Sequence, residues 1–169
     1  WVANHPETLV LSVDGVEHEE RNPYQEYFAN DEGFRGLAGA DDRLATKEPI
    51  YSFQLAGSAY AVPHSAFEDG AAFDLGEHQV FLFRPPEVSV FYSTLAWVSS
   101  AGSFEKRDDV WSETASGAAF DDASSRFTGD EGGRAPVERL DGFDTYWYSW
   151  SLIHPQTEVL NQSESVCRQ

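Results

Sequence analysis

The sequence predicts a mainly β, α+β domain: an antiparallel sandwich or small barrel carrying one aromatic helix near its C-terminal end. Three observations point there. Short runs rich in Val, Ile, Phe and Tyr recur between Gly, Pro and Asp punctuation at intervals of about 8–12 residues. Long stretches of helical periodicity are scarce. One segment does carry the helical pattern, with Phe143, Tyr146, Trp147 and Trp150 at i, i+3, i+4 and i+7.

Taken in order, the elements justify that class. Ile50 to Ala56 and Ser58 to Val62 flank Gly57 and read as a hairpin or bulged strand pair. Pro63 to Glu68 has room for one or two helical turns. His78 to Arg84 reads as a strand stopped by Pro85-Pro86, and Glu87 to Trp97 as a long, half-alternating strand. Shorter strands are expected at Gly117 to Phe120, Ser125 to Thr128 and Val137 to Leu140. The helix is expected to start near Asp144, an N-cap residue type, and to end at His154 before Pro155. On that reading Phe143, Tyr146, Trp147 and Trp150 form a buried face, and Tyr148 points the other way. Ala29 to Ala45 and Gly129 to Arg134 read as Gly- and Asp-rich loops. No linker divides the chain, so residues 1–169 read as one domain.

Charge narrows the range of functions. Asp and Glu number 29 against 11 Lys and Arg, a formal net charge of −18 at pH 7. Such a surface repels phosphate backbones and anionic headgroups, which disfavours nucleic acid and membrane surfaces as partners. Lys47 and Lys106 are the only lysines, and the acids are spread along the whole length. That pattern is expected of a protein working in high salt, where ions screen the mutual repulsion. Cys167 is the single cysteine, so neither an internal disulfide nor a cysteine metal cluster is expected. No run approaches the 18 apolar residues of a membrane span. The chain begins at Trp1 with no leader pattern, as expected of a processed product or a piece of a longer protein.

The two ends repeat one another. Trp1-x-x-x-His5-Pro6-x-Thr8-x-Val10-Leu11 matches Trp150-x-x-x-His154-Pro155-x-Thr157-x-Val159-Leu160 in residue type and spacing. Physically this is a helix end, a His-Pro stop and a strand. The expectation is one unit of a duplicated protein, with an upstream half or a homologous chain as partner.

No strong catalytic or cofactor-binding signature is present, and no cofactor or metal is expected. The weak candidates are His64, Glu68, Asp121, Asp122 and Arg126. His64 and Glu68 stand at the i, i+4 spacing that places a nitrogen and a carboxylate on one helical face. Asp121, Asp122 and Arg126 lie in an oxygen-rich stretch that fails the EF-hand template. For both groups a solvated, hydrogen-bonded surface is the commoner meaning. His5 and His154 read as structural members of the His-Pro turns, and the Tyr146 to Trp150 aromatics as core rather than a sugar-stacking surface.

Trp1 to Ser12, Asn22 to Tyr27, Lys47-Glu48, Gly57 to Pro63, Phe120 to Phe127 and Phe143 to Leu160 together resemble the domain of unknown function 3179 family of bacteria and haloarchaea. The order and spacing of these stretches agree with it over most of the chain. The resemblance implies two halves, of which this chain is similar to the second, and an extracytoplasmic or cell-surface address. The cytoplasm of a high-salt organism is the alternative. Two features depart from the pattern. Phe83-Arg84-Pro85-Pro86 stands where the first half of many members carries Cys-Pro-x-Cys, and the family's Ala-Tyr-Pro is displaced as Tyr60-Ala61-Val62-Pro63. Thiol or metal chemistry attached to that cysteine pair therefore does not carry over. The leading expectation is a non-catalytic, exported or cell-surface module for binding or assembly. The rival is an enzyme or metal-dependent ligand-binding protein centred on His64, Glu68, Asp121, Asp122 and Arg126.

Overall fold

The hairpin around Gly57 sets the frame. Strands β1 (Pro49–Leu55) and β2 (Ser58–Pro63) are joined through Ala56 and Gly57, at φ of 49° and 84°. Two consecutive positive φ values are the signature of a two-residue type I′ turn, whose twist matches that of the paired strands. In the computed structural model the residues described are 5–7, 24–37, 41–86, 88, 92–128 and 137–161. They fall in two compact units, Trp1–Asp31 and Glu32–Gln169. In the first, a single α-helical turn, α1 (Gln25–Phe28), is extended by bonds from Ala29 N–H to Gln25 O and from Asn30 Nδ2 to Glu26 O. The first copy of the end repeat lies largely outside the described residues.

The second unit is mainly β, as expected, and is built as layers rather than as a closed barrel. Three four-stranded sheets follow one another. The first has the order β11-β1-β2-β12, with β11 at Gly142–Tyr146 and β12 at Glu158–Val159. The second, β10-β5-β4-β3, uses β3 (Ala71–Leu75), β4 (His78–Phe83), β5 (Leu95–Ser99) and β10 (Glu138–Arg139). The third, β6-β7-β8-β9, uses β6 (Phe104–Arg107), β7 (Val110–Glu113), β8 (Ala119–Asp121) and β9 (Arg126–Thr128). All pairings are antiparallel except β12 on β2.

The period-2 alternation of each strand decides which layers touch. Tyr51, Phe53 and Val62 of the first sheet pack against Phe73, Val80, Leu82 and Ala96 of the second. On the other face of β4, Phe81 and Phe83 join Trp97 against Phe104, Phe120 and Phe127 of the third sheet. Because β4 is covered on both faces, its sequence from Val80 to Phe83 reads as an unbroken apolar run. Ile50 and Ala61, on the remaining face of the first sheet, meet Trp147 and Trp150 of α2 (Trp147–Ile153).

Four sequence expectations are corrected here. The helix starts at Trp147, not near Asp144. Phe143 and Tyr146 belong to β11, paired with Ser52 and Pro49 of β1. A side-chain cap is not needed, because the Trp147 and Tyr148 N–H groups donate to the Glu48 and Thr46 carbonyls at 2.9 and 3.0 Å. Phe143 is 55% exposed, not buried. Tyr148 is 7% exposed, not free: its hydroxyl accepts the Phe34 N–H at 3.3 Å. In the long strand expected from Glu87 to Trp97, Tyr92 to Thr94 are not strand, and β5 begins at Leu95. The stretch Pro63 to Glu68 yields one short 3-10 turn, His64–Ala66. The loop expected at Gly129 to Arg134 lies outside the described residues.

Candidate functional site

Strand β11 carries two sites, one on each face. On the Tyr51 side, between the first two sheets, Asp144 collects polar groups from three other segments. His64 Nε2 lies 2.8 Å from Asp144 Oδ1. The Thr94 N–H donates to Oδ2 at 2.8 Å, and the Thr94 hydroxyl to Oδ1 at 2.5 Å. Arg84 Nη1 stands 3.3 Å from Oδ1 and also donates to Thr94 Oγ1 and to the Tyr92 carbonyl. Arg84 is buried, His64 is 8% exposed, and Asp144 is half-buried. Burial alone would push the Asp144 carboxyl up. The hydrogen bonds from His64 and Thr94 outweigh it and hold the group below its usual range.

A small cavity of about 230 Å3 opens against this cluster, lined by His64, Ser65, Glu68, Arg84 and Glu48 among others. The i, i+4 pair read from the sequence therefore does share a cavity, although its backbone is a 3-10 turn rather than an α-helix. The Glu68 side chain is exposed and its backbone bridges to Arg84. With Nε2 committed to Asp144, the ring nitrogen of His64 left for chemistry is Nδ1.

Asp121, Asp122 and Arg126 do not line that cavity. They form the turn between β8 and β9, where Asp121 pairs in register with Arg126. The Asp121 carboxylate accepts from the Ala123 and Ser124 N–H groups and from the Ser124 hydroxyl at 2.5 Å. Those bonds lower its pKa and make it the organiser of its own turn. Among the described residues no group of three His, Cys, Asp or Glu is placed to hold a metal ion.

The opposite face of β11 forms a larger cleft, about 590 Å3, between β1, β11 and α2. Its apolar side chains are Phe143, Trp150 and Ile153; Gln54, Asp141, Thr145, Ser149 and His154 supply polar groups. Ile153 is 74% exposed at its edge. Phe143 meets Trp150 edge-on at 5.6 Å, and the His154 ring lies 4.0 Å from Trp150 and within 3.4 Å of Gln54 Nε2. Trp150 also packs on Ile50 and Ala61, and its Nε1 is a buried donor with no acceptor among the described residues. Gly142 also lines the cleft, and it is glycine because a Cβ there would sit 2.5 Å from Tyr51 Oη, on the other face of the sheet, and 2.6 Å from Ser52 O. His154 closes α2 through its N–H to Trp150 O and then starts the turn to Thr157, so it is both structural, as expected, and part of the cleft.

Sequence reasoning missed Asp144, Arg84 and Thr94 as one cluster, and Phe143 as a surface residue. It also missed Glu113, a fully buried carboxylate that accepts from Ser99 Oγ at 3.0 Å and from Ser116 N and Oγ at 2.7 and 2.6 Å. Those donors hold it below the usual carboxylate range against the opposing effect of burial. A period-2 reading of Gly142–Tyr146 would have separated Phe143 from Asp144; nothing local could have joined Asp144 to His64.

Compared with curated proteins and with solved structures, the chain has no match. Residues 1–157 match a family model described as "Protein of unknown function (DUF3179)". The chain belongs to that family.

Proposed function

We propose that this chain is a non-catalytic binding module whose ligand sits in the cleft between β1, β11 and α2. The observation that carries this reading is Phe143, a large aromatic left 55% exposed on a regular strand, over a cleft of about 590 Å3 with apolar walls and a polar rim. Clefts of about 300–1,000 Å3 with that mixture are the usual seats of small ligands. The test is protein-observed NMR against a panel of small ring compounds: benzyl alcohol, indole, cyclohexanol and methyl pyranosides. Shifts confined to Gln54, Gly142, Phe143 and His154, and lost in Phe143→Ala, are expected. A panel that moves no cleft resonance overturns the reading.

The setting we propose is the exterior or surface of a cell living in high salt, with an upstream half or a homologous chain as assembly partner. The acid excess supports the high salt, and the repeat of the two ends supports the assembly partner. Melting temperature should rise steeply from low to molar salt, and a flat profile would remove the high-salt reading.

A second reading has its own observation, the His64–Asp144 pair beside the smaller cavity that Glu68 also lines. It makes the chain an enzyme or a metal-dependent binder. Elemental analysis of protein purified without chelator decides it: stoichiometric metal that is lost in His64→Ala favours this reading, and bare protein favours the first.

A further inference from the structure

We infer that the ligand of the large cleft is a carbohydrate ring, neutral or amine-bearing, with its C–H face on Phe143 and its hydroxyls on the rim. The inference rests on the binding reading above and adds the chemical class.

Charge excludes first. Among the described residues no Lys or Arg lines the cleft, whereas Asp141 does, and Asp141 forms no ion pair with any of them. At contact range, where even molar salt screens little, the Asp141 carboxylate disfavours phosphates, nucleotides, fatty carboxylates and uronic acids. Shape and polarity exclude next. A purely hydrocarbon guest would desolvate the Asp141 carboxylate with nothing to bond it, at a cost that grows with burial. A ring with an apolar face and an equatorial belt of hydroxyls satisfies both demands. Its C–H face covers the exposed ring of Phe143, while hydroxyl donors reach Asp141 and hydroxyl acceptors meet the Gln54 amide.

The remaining groups fit the same guest. Thr145 and Ser149 present hydroxyls, which can donate or accept as a sugar requires. The His154 ring is already held against Trp150 and Gln54, so this part of the rim is ordered before a ligand arrives.

The experiment is NMR titration of the full chain in molar salt with methyl glucoside, N-acetylglucosamine, glucosamine and glucuronate, with benzyl alcohol and cyclohexanol as apolar controls. The first three are expected to shift the cleft resonances, and glucuronate is expected to bind at least tenfold more weakly. Phe143→Ala should weaken all three sugars at least tenfold. Asp141→Asn, an exposed change that leaves the fold alone, should cost glucosamine more than methyl glucoside. If the apolar controls bind in the cleft and no sugar does, the carbohydrate inference is overturned while the cleft reading stands. If no probe moves a cleft resonance, both are overturned. Glucuronate binding as tightly as methyl glucoside would overturn the charge argument and with it the inference.

Discussion

Phe143 and Asp144 are neighbours in one strand and live in opposite environments. Asp144 points between two sheets, where His64, Thr94 and Arg84 converge on its carboxylate. Phe143 points away, half in solvent, beside a cleft of about 590 Å3. One face of β11 is finished and the other is open. The lesson is that polarity is a poor guide to which residue acts: here the charged residue holds the fold together and the apolar one is available to a partner. Period-2 geometry makes such an assignment possible within two residues.

The largest effect should come from breaking the finished face. Asp144→Ala removes the carboxylate that stands 3.3 Å from the buried Arg84 guanidinium and the partner of His64 Nε2. Removing one member of such a cluster costs about 3–5 kcal/mol, a large part of the stability of an ordinary domain. Asp144→Asn, which keeps the shape and some hydrogen bonds, should cost less. Chemical denaturation in molar salt measures both, and a loss under about 1 kcal/mol for Asp144→Ala would show that the cluster is solvated rather than structural.

Trp147→Ala should come next, at about 3–5 kcal/mol for a large buried aromatic. Trp147 is fully buried against Ile50 and Ala61, donates Nε1–H to Asp41 O at 3.1 Å, and lies under the Arg43 guanidinium. Keeping the parent's melting temperature would mean that α2 is not anchored by this side chain.

Acid should separate the two faces more gently. Asp144 and Glu113 both sit below their usual pKa in the folded chain. The unfolded chain then binds more protons than the folded one in the acid range. Their stabilisation is complete above the unfolded values, about 4, and is lost as pH falls through the lower folded values. Stability should therefore decline below about pH 4, with a shallower decline in Asp144→Asn. Parallel slopes for parent and variant would remove Asp144 from the acid response.

These comparisons also show what could be read from the chain alone. The β1–β2 hairpin was legible because Gly57 supplies one of two required positive φ values between apolar runs. The end of β4 was legible because Pro85 and Pro86 cannot continue a ladder. The segment from Phe143 to Trp150 was misjudged because its aromatics satisfy a 3.6 period and a strand-to-helix switch equally well. Pairing with β1 settles it as strand to Tyr146, and the Glu48 and Thr46 carbonyls start the helix. The Asp144 cluster was out of reach for a different reason. His64, Arg84 and Thr94 lie 80, 60 and 50 residues away in sequence, and only the stacking of two sheets joins them.

The smallest stability effect should be that of Phe143→Ala, and it bears most directly on function. More than half of this side chain already meets water, so truncation removes little buried area. What remains is the edge-on contact with Trp150 at 5.6 Å, of a kind worth about 0.5–1.5 kcal/mol when well packed, plus a modest loss of strand propensity. The expected cost is about 1 kcal/mol or less, a shift of roughly 2–4 °C in a chain of this size. Ligand binding in the cleft should fall at least tenfold in the same protein. A variant that melts as low as Trp147→Ala would instead make Phe143 part of the core, and β11 would then have two finished faces. A variant that keeps both its stability and its ligand would leave Phe143 with neither role. Only the combination of a near-parental melting temperature and lost binding sustains the contrast between the two faces of this strand.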